Sequence, residues 1–541
     1  MSPMGVEGAA GLSVFGARQV PGAEQAIEKL VADGVPAKLV AKDPTLWGSA
    51  AEAESKIRLG WVDTHRRGRE LLPQLADIRK TLTARGLDHV VLAGMGGSSL
   101  APEVITNTLG APLTVLDTTD PHQIRAALGD RLERTVVVVA SKSGSTVETD
   151  SHRRAYLAAF ESAGLDDVGG RFVVVTDPGS PLEATAREMG AHVVLADPEV
   201  GGRYSALTAF GLVPSALAGV DVAELLDQAE ALHQSLSGSS DNPALALGAA
   251  LGAAALAGRD KVALISDGTG IVGLGDWAEQ LLAESTGKEG RGILPVVVET
   301  PTSPGATGAD VLTVTYGGSL GPDAVPGGGV DPHVAVNGPL GAQFLAWEFA
   351  TAIAGRLIGI NPFDQPNVAE SKENTNRILD GGPPAEEPSF VEGAIEVYGG
   401  GDAATVPDAI RWLRGAAEPH GYIAIMAYLD RLGDAAAAGA RPRLAAQTGR
   451  PVTFGWGPRF LHSTGQYHKG GPQEGAFLQI TGAVADDSPV PGKPYTFGKL
   501  IAAQAAGDRQ ALAGRGRPLL HLHFTDRAAG IAQLLAALEK S

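Results

Sequence analysis

Six consecutive residues, Ser141-Lys142-Ser143-Gly144-Ser145-Thr146, place four hydroxyls, one ammonium and one glycine directly after the apolar run TVVVVA (135–140). Hydroxyls donate to phosphate oxygens, and a helix starting there adds the partial positive charge of its N-terminus. The order G-x-x-x-x-G-K-[ST] is absent, so this is not a P-loop. A Ser/Thr-rich turn capping a helix, with Glu148 as capping-box partner, is the plain alternative. A second loop, Gly94-Met95-Gly96-Gly97-Ser98-Ser99, lets the backbone turn sharply into a helix whose N–H groups face an anion. A dinucleotide site is its rival, with Asp117 near the place of a ribose-binding acid, but the sixth fingerprint position holds Ser99. Two such loops after two strands of one sheet favour a monophosphate ligand.

Candidates for moving protons lie further along. In DWAEQLLAESTGK (276–288), Glu284 sits near a helix end beside Ser, Thr and Gly, a setting for a general base in a cleft. A solvated helix acid is the plain alternative, and Glu279 shares that helix. Arg203, in Gly201-Gly202-Arg203-Tyr204-Ser205, has the fixed donor fork suited to an oxyanion or to an ordinary salt bridge. Gln365 and Lys372 are seven residues apart, two turns on one helix face, and so share one pocket or one wet surface. His462 and His468 stand six apart in a Gly-rich segment and suit acid–base work near neutral pH. Metal binding is the rival reading, but no HExxH or carboxylate facial set accompanies them, so no metal site is expected. His521 and His523 alternate on a strand and share a face; they read as packing or surface residues, with metal as the minority option.

The elements that must position these groups are short Val-rich runs alternating with helices: 89–94, 113–117, 135–140, 172–177 and 192–197, then 261–267, 293–299, 311–316 and 333–337. Such runs argue for parallel sheets covered on both faces. The fold class is therefore α/β: two tandem parallel-sheet domains with helices on both faces, plus a C-terminal α/β extension. The boundaries are 1–60 for an N-terminal helical segment, 61–220 for domain one with the phosphate loops, 221–375 for domain two with Glu284, and 376–541 for the extension. Residues 376–405, rich in Gly, Pro and acid, read as a linker, and 317–331 as a mobile loop.

With 541 residues, three or four domains are expected. Hydrophobic residues at 44% and charged residues at 19% exclude whole-chain disorder. The net charge of −18 argues against a nucleic-acid surface, which needs a basic field. The absence of cysteine excludes disulfides and thiolate chemistry. No signal peptide is visible, and the weakly polar run 243–258 is too short to span a membrane and reads as a buried helix. A cytoplasmic protein is expected.

Together GMGGSSLAPEV, SKSGSTVET, GGRYSA, ESTGK and NPFDQPNVAESK, in this order, resemble the glucose-6-phosphate isomerases of the sugar-isomerase (SIS) fold superfamily. With GPRFLHSTGQYHKGG, the likeness is strongest to the isomerase half of bifunctional transaldolase/glucose-6-phosphate isomerases; no barrel precedes it here, so transaldolase activity is not expected. The resemblance implies a cofactor-free interconversion of glucose 6-phosphate and fructose 6-phosphate in glycolysis and gluconeogenesis. Its rivals are a dual phosphoglucose/phosphomannose isomerase or another SIS-fold isomerase, a non-catalytic sugar-phosphate-binding regulator, and a nicotinamide-dependent oxidoreductase. It implies Gly97, Ser98, Ser141, Lys142, Ser143 and Thr146 at substrate or phosphate, Gly202 and Arg203 at the enediolate, Glu284 as base, Gln365 at substrate and Lys372 in ring opening. The family's ring-opening histidine, in a G-Q-H segment after the base, has no counterpart between Glu284 and Gln365. The extension is expected to supply it, His468 first and His462 second. The partner is a hexose 6-phosphate, with no nucleic acid or membrane, and monomer and homodimer both stay open.

Overall fold

The computed structural model describes residues 6–9, 11–319, 333–382 and 386–540. Of the loop expected at 317–331, residues 320–331 lie outside these, and Gly317 ends a strand. The chain opens with a hairpin, β1 (Val6–Ala9) and β2 (Leu12–Phe15). Then come β3 (His89–Gly94), β4 (Thr114–Leu116), β5 (Thr135–Ala140), β6 (Phe172–Thr176) and β7 (His192–Leu195). They form one all-parallel sheet in the order β4-β3-β5-β6-β7. Successive side chains of a strand point to opposite faces. Accordingly Val90, Leu92, Val136 and Val138 enter one core, while Val91, Ala93, Val137 and Val139 enter another. Both faces are therefore apolar, and these strands read as unbroken Val runs.

The second sheet adds β8 (Lys261–Ser266), β9 (Leu294–Val297), β10 (Val311–Gly317) and β11 (Val334–Asn337), in the order β1-β2-β11-β10-β8-β9. Strands β8 to β11 are parallel, but β2 pairs antiparallel with β11. Two expectations are corrected here. Segment 1–60 is not purely helical, because its first residues complete a sheet with a strand some 320 residues away. The second sheet is also mixed rather than all-parallel. The helices Pro243–Leu256 and Leu340–Ile358 are apolar on nearly every side and bury themselves against each other. Among the described residues no helix is long and apolar enough to cross a membrane.

The third sheet comprises β12 (Phe390–Glu392), β13 (Ile395–Tyr398), β14 (Ile423–Tyr428), β15 (Val452–Trp456), β16 (Ala476–Gly482) and β17 (Leu519–Phe524), in the order β12-β13-β17-β16-β14-β15. Residues 376–405 are thus more than a linker, since they carry the antiparallel edge β12–β13. One face of β14, through Ile423, Ile425 and Ala427, builds this domain's own core. The other face, through Ala424, Met426 and Tyr428, packs with Ala263, Ile265 and Val296 of the second sheet. Val490 and Phe497 reach the core of the first sheet. The third domain is thereby wedged against both others, which decides what it brings to the site.

Candidate active site

The carboxyl ends of β3 and β5 open into a cavity of about 580 Å³. Gly97, Ser98, Ser141, Lys142, Ser143, Thr146, Gly202, Arg203, Glu284, Gln365, Lys372 and His462 all line it. Of the expected residues, only His468 does not.

The hydroxyl loop leaves β5 at Ala140 and enters the helix Val147–Ser162 at Thr146, which makes no side-chain cap bond. Its hydroxyl pairs instead with Ser141 Oγ at 2.9 Å, and Ser143 Oγ meets Ser145 Oγ at 3.0 Å. Gly144 has φ +69° and lies against Leu182, where a Cβ would come within 2.8 Å. Lys142 is partly spent on structure: its Nζ lies 2.7 Å from Asp177. The glycines of the first loop serve close packing. A Cβ on Gly97 would fall 1.8 Å from the carbonyl oxygen of Gly202, and one on Gly96 would fall 2.7 Å from Gln280 Nε2 and 2.8 Å from His462 O.

Glu284 lies in the last turn of the helix Leu274–Thr286 and is buried. Gln280, one turn earlier, donates to its carboxylate at 3.2 Å, and Arg203 Nη1 lies 3.6 Å away. Burial pushes the Glu284 carboxyl above its ordinary range, against the opposing charges of Arg203 and His462. A base raised in this way works closer to neutral pH. Arg203 is fixed by Ser285 Oγ at 2.9 Å, by the Pro362 and Asp364 carbonyls at 2.8 and 2.9 Å, and by Gln365 Oε1. Lys288 ties the same strip of chain through the Asn361 and Asp364 carbonyls and the Asp364 carboxylate. Burial, then the charge of Arg203, pushes Lys288 down to about 8. Gln365 and Lys372 stand at the exposed rim, on and after a segment pinned from below.

His462 enters from the third domain on the turn Arg459–His462. Its Nε2 lies 3.1 Å from Glu148 Oε1, and Gln504 Nε2 donates to the same oxygen at 2.7 Å. Glu148 is fully buried; burial alone would raise its carboxyl, but the charge and hydrogen bond of His462 hold it down to about 2. This corrects its reading as a mere capping partner. His468, the first choice for ring opening, is corrected too: it lies in the core against Phe477, Tyr422 and Phe460. Neither ring nitrogen has a partner among the described residues, and burial, then Lys469 and Arg517, push it well below its ordinary value. Six residues after His462, the short helix Gly465–Gly470 turns that side chain toward the core instead of the cavity.

Residues missed by sequence reasoning include Gln280, Ser285, Lys288 and Gln466. Gln466 donates to Gly287 O at 2.9 Å and Asn367 Oδ1 at 2.8 Å and accepts from Asn367 N at 2.9 Å. It thus joins the end of the Glu284 helix to the start of the Lys372 helix. Among the described residues no group of three or more His, Asp or Glu could hold a metal. The arrangement is a buried carboxyl beside a guanidinium, an imidazole in the same cavity, and a hydroxyl-rich turn in its wall. It can enolise a phosphorylated sugar.

The phosphoglucose isomerase family model matches residues 69–303, from before the glycine loop to beyond Glu284. A glucose-6-phosphate isomerase of Rubrobacter xylanophilus is 31% identical over 375 residues, 57% of this chain and 86% of that protein. The probable glucose-6-phosphate isomerase of Haloarcula marismortui is 37% identical over 213 residues, 38% of this chain. There the match spans about half, 49%, of the relative's length. A crystal structure of a glucose-6-phosphate isomerase from Chlamydia trachomatis superposes with a TM-score of 0.53 at 19% identity, covering 69% of this chain and 89% of that one. At that identity the likeness speaks for the fold alone.

Proposed function

The chain belongs to the phosphoglucose (glucose-6-phosphate) isomerase family, and from that premise we propose that it interconverts glucose 6-phosphate and fructose 6-phosphate through a cis-enediolate. The observation that carries this is the single cavity lined by both Glu284 and the Ser141–Thr146 turn. The phosphate docks on Ser141, Ser143 and Thr146, with Lys142, Gly97 and Ser98 beside it, and its binding energy orients the reacting carbons. His462 is fixed through Nε2 by Glu148, which leaves Nδ1 to serve the ring oxygen, together with Lys372. Glu284 then carries the proton from C2 to C1. The Arg203 fork, with the Gly202 backbone beside it, stabilises the enediolate oxygen, and Gln365 holds the sugar near Arg203. No metal or cofactor is required, because the neighbouring carbonyl acidifies C2–H.

The ring-opening histidine comes from the same chain, which favours a working monomer over an obligate dimer. A cytoplasmic setting completes the proposal. The test is exchange of the C2 hydrogen of glucose 6-phosphate with heavy water, followed by proton NMR, for the native chain and for Glu284→Gln. Native exchange reduced about 10²–10⁴-fold in the variant is expected. Equal exchange in both would remove Glu284 from its role.

A further inference from the structure

Asp117, the residue after β4, has the position of a ribose-binding acid but faces inward. It is 1% exposed. Its Oδ2 accepts from Ser99 Oγ at 3.1 Å, next to Ser98 of the glycine loop, and from Arg459 Nη1 at 2.8 Å. The second arm of Arg459, Nη2, reaches Glu103 Oε2 at 2.5 Å, and Glu103 Oε1 accepts from Arg431 Nη1 at 2.7 Å. Two carboxylates of the first domain and two guanidinium groups of the third thus form a largely buried cluster, and Asp276 adds a third carboxylate 3.9 Å from Arg459 Nη2. Arg459 opens the single turn that ends at His462. In a turn of this kind, residues three apart stand over one another. A restraint on the Arg459 side chain is therefore a restraint on the His462 side chain. The same turn rests its His462 carbonyl on Gly96, where no Cβ would fit.

We propose that Arg459 is a positioning residue for ring opening: clamped between Asp117 and Glu103, it registers the His462 turn on the glycine loop, so that one carboxylate oxygen sets both walls of the sugar site. This rests on the reading of His462 as the ring-opening group. A lysine keeps the charge but offers one ammonium, which cannot span two carboxylates in the fixed fork that guanidinium provides. The turn then loses its register without losing its counter-charge.

The test separates ring opening from proton transfer. Anomerisation of glucose 6-phosphate needs only opening and reclosing of the ring, and exchange NMR reads its rate. The share of product hydrogen taken from solvent during isomerisation reports on the Glu284 step alone. In the full-length Arg459→Lys variant, anomerisation and isomerisation fall together, roughly ten- to a hundredfold, while the solvent share is unchanged. Asp117→Asn, which keeps the size of the side chain, gives a smaller loss of the same pattern and serves if the first variant does not fold. Native anomerisation in either folded variant overturns the proposal, as does a loss in which the solvent share shifts as much as the rate. His462→Asn is the control: if it leaves anomerisation intact, ring opening by His462 is refuted, and the role of Arg459 falls with it.

Discussion

Replacing Glu148 with Gln removes charge from the histidine pair while keeping its shape. The carboxyl is held at about 2 against an ordinary 4.5, a gap of 4.5 − 2 = 2.5. At 1.36 kcal/mol for each pH unit, that gap corresponds to at most about 3 kcal/mol favouring the ionised form. Burial works against it, so the preference comes from the charge and hydrogen bond of His462. The glutamine carbonyl can still accept from Gln504, but His462 then faces a neutral amide. A carboxyl whose folded value is depressed stabilises the fold fully above about 4.5 and loses that contribution as pH falls toward 2. Urea unfolding at pH 7 is therefore expected to show the variant weaker by up to about 3 kcal/mol, with the difference shrinking at pH 3. Exchange NMR at pH 7 should show slower anomerisation, by about tenfold or more. A variant that loses the stability yet anomerises at the native rate would make the pair a structural contact only and refute its part in ring opening.

Further outcomes follow from the same geometry. His462→Asn should cut turnover of ring-closed substrate about 10²–10⁴-fold, whereas His468→Phe, which replaces two unpartnered buried nitrogens in an aromatic pocket, should leave it unchanged in a steady-state assay. Gln466→Ala strands the Gly287 carbonyl and both groups of Asn367, costing about 2–4 kcal/mol in denaturant unfolding. It should also raise KM, because Gln365 and Lys372 flank Asn367. Glu279 is pushed up to about 8 by burial and the charge of Asp276. A raised carboxyl weakens the fold as pH climbs from 4.5 toward 8, so Glu279→Gln should raise Tm more at pH 8 than at pH 5 in paired thermal melts.

What the sequence disclosed was local, and what it hid was distant. The Val runs of β3, β5 and β6 lie within a residue of their expected limits because a strand buried on both faces must be apolar throughout. The hydroxyl loop was legible because all its chemistry falls within six residues. The hairpin β1–β2 was not, because its stability comes from pairing with β11, and two four-residue strands carry little signal of their own. The partners of Glu148 and Asp117 lie 314 and 342 residues away, so no spacing rule connects them. Choosing between His462 and His468 was beyond the sequence for a related reason. Both stand in one polar, Gly-rich segment, and only the turn and short helix that follow it decide which ring meets the cavity.

The glycines show why these distant partners meet at one point. Gly97 admits the Gly202 backbone, Gly96 admits Gln280 and the His462 carbonyl, and Gly287 admits Tyr467, whose Cα would lie 2.5 Å from an added Cβ. In each case the close approach is by an element that carries, or directly supports, a proposed catalytic side chain. Interiors this dense transmit a misfit instead of absorbing it. A methyl group at Gly97 would push the Arg203 loop away from the first sheet, and one at Gly287 would push the third domain off the base helix. In the proposed mechanism the glycine loop that lies beside the phosphate therefore also sets the spacing of Glu284, Arg203 and His462, so binding and chemistry share backbone contacts there.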